Sequence, residues 1–167
     1  MSRIDDEWVS FGVTAALLSR LLQARAEVAL QGVGGPSVIE VELLCRLAES
    51  EQGSLRMIDV ADLLMVSKSG VTRLVDRLVE AGLVSRYSPP DNRRVVHAQI
   101  TDKGRAVFEE ARVIYAQSMR DTVERHATTE DRRNVHDVLR DVLEANGHPV
   151  ETRYTNGQRT EADHAPR

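Results

Sequence analysis

The chain of 167 residues is long enough to bury one hydrophobic core, and a second independent domain is not expected. Hydrophobic residues make up 41% of the chain and aromatic residues only 4%, a balance that favours a mostly helical protein over a β-sandwich or barrel. The net charge of −4 excludes a surface that is basic as a whole, so any binding to a polyanion must be local.

Several function classes lack their sequence signals. The first residues do not follow the basic-then-apolar pattern of a signal peptide, and no run approaches the roughly 20 apolar residues of a membrane span, so a cytoplasmic protein is expected. The histidines show no metal-ligand spacing, and neither a Gly-rich phosphate loop nor a Ser, His and Asp order is present. We therefore predict no catalytic residues, no metal and no cofactor.

A long helix is predicted from Trp8 to Leu30, because this stretch has no proline and its apolar residues recur at helical spacing on two neighbouring stripes. A helix that is apolar over so wide an arc is expected to pack against more than one partner. Glycines and Pro36 end it, and a second helix is predicted over residues 38–49. Cys45 lies on the apolar face of this helix, which favours core packing over redox sensing.

After a predicted turn at residues 52–54, two short helices follow with three residues between them. The first runs from Met57 to Leu64, with Ile58 expected on its buried face, and the second is capped by Ser67 and ends near Ala81. Polar and basic side chains are predicted on the outer face of the second helix, namely Ser67, Lys68, Ser69, Thr72, Arg73 and Arg77. A helix of about four turns fits the major groove of DNA, where arginine can hold a guanine through two hydrogen bonds.

A hairpin is predicted next, since residues 83–88 and 95–100 are strand-like and flank a polar tip that contains two prolines. Arg93 and Arg94 lie at this tip, where an arginine can enter the minor groove, and Asp91 is expected to orient one of them. Residues 67–105 carry a net charge of +4, which leaves −8 for the rest of the chain. This charge pattern favours DNA contact by the helix and hairpin over the alternative of a solvated face and an ordinary polar loop.

Two more helices are predicted near the end of the chain. The first covers residues 104–126 and would span ~34 Å, longer than a compact domain of this size needs internally. Thr128 and Asp131 resemble a capping box that opens the last helix, and Gly147 ends that helix. The remaining residues, 148–167, have almost no large apolar side chains and are predicted to be disordered.

Three strings in this region together resemble the MarR (multiple-antibiotic-resistance regulator) family of winged helix-turn-helix transcription factors. They are SGVTRLVDRL at 69–78, EAGLV at 80–84 and the hairpin from 91 to 104, which ends in Ile-Thr-x-x-Gly. The resemblance implies a mainly α fold with a small β-hairpin wing. Its parts would be an N-terminal dimerisation helix within 1–36, a DNA-binding lobe over 37–103 and C-terminal dimerisation helices over 104–147.

The same resemblance implies a homodimer that binds a pseudo-palindromic site in double-stranded DNA, with a repressor favoured over an activator. Two alternatives stay open. The apolar stripes of the terminal helices would also fit a monomeric helical core, and a winged helix can serve as a protein-interaction module without specific DNA binding.

The wing departs from the family pattern, which is Asp-x-Arg with the Arg seven residues before the Thr. That spacing selects Arg94 and places Asn92 where the family has Asp, with Asp91 one position further out. Either the loop has gained a residue or Asn92 takes over the orienting role. Arg94 is therefore the favoured minor-groove residue, with Arg93 as the alternative.

Many members of the family release DNA when a small, often aromatic, anion binds where the dimer helices meet the DNA-binding lobe. The resemblance thus allows a small aromatic or phenolic effector. Trp8, Phe11 and Tyr115 are the candidates to line its site, and packing in the core or the dimer interface is the alternative explanation for them.

Overall fold

The computed structural model describes residues 6–90 and 92–148. The helices are α1 (Asp6–Gln31), α2 (Val38–Glu49), α3 (Met57–Leu63), α4 (Lys68–Glu80), α5 (Asp102–Val123) and α6 (Thr129–Ala145), and the strands are β1 (Ser54–Arg56), β2 (Val84–Tyr87) and β3 (His97–Ile100). The prediction of a mainly helical protein with a small β wing is confirmed. Asp91 and the predicted disordered tail beyond residue 148 lie outside the described residues.

The three strands form one antiparallel sheet in the order β1-β3-β2. The sequence predicts a turn at residues 52–54 and no strand after it, and this prediction is wrong because β1 pairs Ser54 with Gln99 and Arg56 with His97. A strand of three residues is too short for its alternation to be recognised. β3 also begins two residues later than predicted, since the N–H of Val95 donates to the carbonyl of Asn92 at 3.1 Å and belongs to the wing turn.

The hydrophobic core is formed mainly by α2, α3, α4 and α5 together with β2 and β3. Its fully buried side chains come mainly from α2, α3 and α4, among them Leu43, Leu44, Leu47, Val60, Val71, Val75 and Leu78. In α3 the prediction that Ile58 is buried is wrong, because Ile58 is 49% exposed while Val60 and Ala61 face the core. Five of the seven residues of α3 are apolar, so they surround much of the helix and the sequence alone could not choose the buried face.

Side-chain caps fix the starts of the helices. Ser67 Oγ accepts a hydrogen bond from the N–H of Gly70 at 3.1 Å, and Thr101 Oγ1 accepts one from Gly104 at 3.0 Å. Thr128 and Asp131 form the predicted capping box at the start of α6. Each such cap contributes about 1 kcal/mol to stability.

The terminal helices present apolar side chains that nothing in the described chain covers. Only Ala26 and Leu30 of α1 are buried, against α5 and α2, while Trp8 and Phe11 near its start are 69% and 61% exposed. α6 has no buried residue, and its stripe of Val135, Val138, Leu139 and Val142 is 54–60% exposed. In the described part of the chain, no helix is long and apolar enough to span a bilayer.

Candidate nucleic-acid interface

Helix α4 is divided into a buried face and a polar face. Val71, Leu74, Val75 and Leu78 are at most 3% exposed and anchor the helix on the core. All six side chains that sequence analysis placed on the outer face, from Ser67 to Arg77, are exposed. The structure therefore brings the predicted polar face together on one accessible surface.

The first two turns of α4 hold hydroxyl groups next to two cations. Ser67 Oγ lies 3.2 Å from Ser69 Oγ, and Thr72 Oγ1 donates to the carbonyl of Lys68 at 3.0 Å. A hydroxyl that uses one or two of these contacts still has capacity for a further partner. Among the described residues, no ion pair involves Lys68 or Arg73, so both cations are available to a ligand.

The wing tip is a tight turn built around Asn92. Its backbone N–H donates to the carbonyl of Pro89 at 3.1 Å, and its Oδ1 accepts from the N–H of Arg94 at 3.3 Å. Arg93 and Arg94 are both exposed at this turn. The role predicted for Asp91 falls outside the described residues, whereas Asn92 does contact the backbone of Arg94.

An ion pair that sequence analysis missed connects the wing to α4. Arg86 of β2 forms a short contact with the carboxylate of Asp76, and its other terminal nitrogen donates to the carbonyl of Thr72 at 3.2 Å. The two residues are ten positions apart in the sequence and no local pattern links them. This contact sets the wing strand against the helix that carries the candidate DNA-binding side chains.

The start of α5, which follows the last strand of the wing, is hydrogen-bonded to the end of α4. Lys103 Nζ donates to the carbonyl of Ala81 at 2.7 Å, and Thr101 Oγ1 donates to the carbonyl of Gly82 at 2.8 Å. The carbonyls at a helix C-terminus carry partial negative charge and lack intrahelical partners, so both contacts satisfy them. The Ile-Thr-x-x-Gly string thus fixes the wing relative to α4.

Arg77 is oriented by α2. Its Nε donates to Glu40 Oε1 at 3.2 Å, while Glu40 Oε2 accepts the backbone N–H of Ser37 at 2.9 Å. Burial alone would raise the pKa of Glu40, but the hydrogen bonds from Ser37 and the charge of Arg77 together hold that pKa below its ordinary value. Arg77 is therefore engaged within the protein, unlike Lys68 and Arg73.

The three residues predicted to line an effector site are in two places. Trp8 and Phe11 contact each other edge to face with ring centroids 5.9 Å apart. Tyr115 is half-buried beside Glu42 and Cys45 of α2, and burial, helped by these two neighbours, raises the pKa of its hydroxyl. A cleft of about 730 Å³ lies between α1 and α5, and none of these three aromatic residues lines it. Residues 6–90 and 92–148 contain no cluster of possible metal ligands.

Comparison with known proteins finds similarity to one family. The MarR family model matches residues 39–96. Two curated relatives are from Bacillus subtilis: the uncharacterized HTH-type transcriptional regulator YhbI is 35% identical over 80 residues (48% of this chain, 51% of the relative), and the HTH-type transcriptional repressor MdtR is 30% identical over 93 residues (56% and 60%). The matches to these two relatives therefore span only half to three fifths of their lengths.

Solved structures match over more of the chain. Sco3205, a MarR family transcriptional regulator from Streptomyces coelicolor solved in complex with DNA, is 26% identical with a TM-score of 0.75 and covers 87% of this chain and 91% of its own. The transcriptional regulator BldR from Sulfolobus solfataricus is 25% identical with a TM-score of 0.74, covering 87% and 99%. The similarity thus includes the terminal helices as well as the central lobe.

Proposed function

This chain is a member of the MarR family of transcriptional regulators, and we propose that it acts in the cytoplasm as a homodimer that binds a pseudo-palindromic site in double-stranded DNA and represses transcription. The matched family and the curated relatives are transcriptional regulators, so the prediction that the chain is not an enzyme is confirmed.

The exposed cations of α4 and the wing carry the DNA-binding proposal. Lys68 and Arg73 stand on the outer face of α4, and Arg86 connects that helix to the wing that bears Arg93 and Arg94. A helix in the major groove and an arginine in the adjacent minor groove require such a pair of neighbouring basic elements. The DNA complex of Sco3205 supports the same use of this fold.

The uncovered apolar faces of α1 and α6 support the homodimer. A monomer that left Trp8, Phe11 and the α6 stripe in water would expose an unusually large apolar surface, and burying it against a second copy removes that cost. A two-fold axis would then present two α4 helices to two half-sites. MdtR, which is a repressor, supports repression over activation.

We also propose that a small aromatic or phenolic effector releases the DNA. Within one chain Trp8 and Phe11 lie apart from Tyr115, so an effector site lined by all three residues needs a second copy of the chain. A panel of phenolic compounds in a gel-shift assay tests this proposal, and release of DNA by none of them contradicts it.

Selection of bound sequences from random duplex DNA tests the main proposal. We expect two inverted half-sites with centres about one helical turn, roughly 10 base pairs, apart, and binding that weakens as salt rises. A matched variant carrying Lys68→Glu and Arg73→Glu should select nothing while keeping its thermal stability. If the unmodified protein enriches no sequence over random duplex, the alternative of a protein-interaction module is favoured instead.

A further inference from the structure

We propose that Arg77 is a positioning residue that holds α4 on α2 through Glu40, and that it does not contact DNA. The inference rests on the proposed function and corrects the set of candidate DNA-binding residues within it. On sequence spacing alone Arg77 shares the outer face of α4 with Arg73, one turn earlier. The contacts of the two arginines nevertheless differ.

The partner of Arg77 is a well-fixed carboxylate. The side chain of Glu40 is only 17% exposed, and its two oxygens are used by different donors, one by Arg77 Nε at 3.2 Å and the other by the N–H of Ser37 at 2.9 Å. A carboxylate held in this way cannot follow Arg77 toward a ligand without opening the start of α2. Swinging Arg77 onto DNA would therefore leave Glu40 without its cation.

The contact also extends beyond α2. Glu27 of α1 accepts the backbone N–H of Val38 through Oε2 at 2.8 Å and the side-chain amide of Gln31 through Oε1 at 2.6 Å. Ser37 and Val38 are adjacent, so carboxylates from α1 and α2 satisfy neighbouring donors at the start of α2. The Arg77 pair thus fixes α4 to the point where α1 and α2 are joined.

The place of Arg77 along α4 agrees with this role. Arg77 lies in the last turn of the helix, about 14 Å from Lys68 along the axis. It also lines a cleft of about 520 Å³ together with Glu40, the loop between α1 and α2, and α5. The residues that enter a major groove from a helix of this kind come from its first turns, where Lys68 and Arg73 form no ion pair with any described residue.

The salt dependence of DNA binding separates the two roles. Removing a cation that neutralises a phosphate lowers the slope of log K against log salt by about one, whereas moving the helix weakens binding without changing the slope. We expect Arg77→Ala to bind the selected site about three- to tenfold more weakly at every salt concentration with the slope of the unmodified protein. Arg73→Ala is the matched comparison and should lower the slope.

A double-variant cycle with Glu40→Gln gives a second readout. Glutamine keeps an oxygen for the N–H of Ser37 and removes the charge that holds Arg77. If Arg77 acts through Glu40, Glu40→Gln weakens DNA binding by itself, and adding Arg77→Ala weakens it little further. If Arg77 contacts DNA, Glu40→Gln frees the arginine, and the full loss from Arg77→Ala remains in the double variant.

Thermal denaturation of each variant shows that the chain is folded in the binding assay. An unchanged affinity in Arg77→Ala, a slope lowered by about one, or fully additive losses would each overturn the positioning role while leaving the proposed function intact. A failure of the unmodified protein to bind any selected duplex would overturn both proposals.

Discussion

Gly104 lies against the backbone of Leu83 so closely that a Cβ on it would approach the carbonyl oxygen of Leu83 to less than 3.0 Å and its carbonyl carbon to 3.0 Å. That same carbonyl oxygen accepts the N–H of Thr101 at 3.0 Å. The contact joins the start of α5 to Leu83, the residue directly before β2. The glycine of the Thr-x-x-Gly string is therefore required by the close approach of two backbones.

Substitution of Gly104 by alanine should destabilise the protein. Helix propensity alone would favour alanine by up to about 1 kcal/mol, but the overlap with a backbone carbonyl cannot be relieved by a rotamer change. We expect a net loss of about 2 kcal/mol or more, measured as the free energy of unfolding in urea.

Gly70 provides a matched control for that variant. Both glycines are the third residue of a helix and donate their N–H to a capping hydroxyl, at 3.1 Å for Gly70 and 3.0 Å for Gly104. A Cβ on Gly70 would meet only the side chains of Ser67, at 3.2 Å, and Val66, at 3.8 Å. Gly70→Ala should change stability by less than about 1 kcal/mol, and equal losses in both variants would contradict the backbone contact with Leu83.

Removing the wing arginine that enters the minor groove should weaken DNA binding without changing stability. Arg94 is exposed and its N–H is held by Asn92, so Arg94→Ala should lower affinity and reduce the salt slope by about one, with little change in melting temperature. Arg93→Ala is the comparison at the neighbouring position. Unchanged DNA affinity in both variants would exclude a minor-groove role for the wing.

The parts of the structure that sequence could predict are those set by local rules. Ser67 and Thr128 cap their helices as expected, and the side chains predicted on the outer face of α4 are exposed. The strand β1 and the exposed position of Ile58 could not be predicted, since short elements take their pairing and phase from the rest of the fold. The same limit applies to the candidate site, where contacts between distant parts of the chain could not be predicted.

Exposure of the α4 side chains follows from helix geometry, but the engagement of Arg77 by Glu40 and of Arg86 by Asp76 depends on tertiary contacts. Glu40 is 37 positions from Arg77, so a pattern within one helix cannot reveal their contact. A basic residue on the outer face of a helix is therefore a candidate ligand contact only until its ion-pair partners are known.

Replacing either of two glutamates of α2 by glutamine should change the melting temperature at pH 7, in opposite directions for the two positions. Burial raises the pKa of Glu42, only partly offset by Arg46, so the charged carboxylate destabilises the fold above that raised pKa and the cost disappears as pH falls below the ordinary value of 4.5. Glu42→Gln should then raise the melting temperature at pH 7, with the difference vanishing toward pH 4. Circular dichroism melts across this range measure the effect.

Glu40→Gln is the matched comparison, two residues away. The pKa of Glu40 is lowered overall, so its contribution to stability is present above the ordinary value of 4.5 and is lost as pH falls through the lower value in the folded state. This variant should melt at a lower temperature at pH 7, and its difference from the unmodified protein should also shrink in acid. Melting-temperature changes of the same sign for the two variants at pH 7 would contradict the opposite pKa shifts of the two glutamates.

A charge placed in the apolar stripe of α6 should separate the proposed dimer. Leu139 is 54% exposed in the single chain and lies on a helix with no buried residue, so Leu139→Glu costs the monomer little but would bury an unpaired carboxylate in an interface between two copies. We expect sedimentation to show a dimer for the unmodified protein and a monomer for the variant, with loss of tight binding to the two half-sites. Asn134→Glu adds the same charge outside the stripe and should remain dimeric, whereas a monomeric unmodified protein or a dimeric Leu139→Glu variant would show that this stripe does not form the interface.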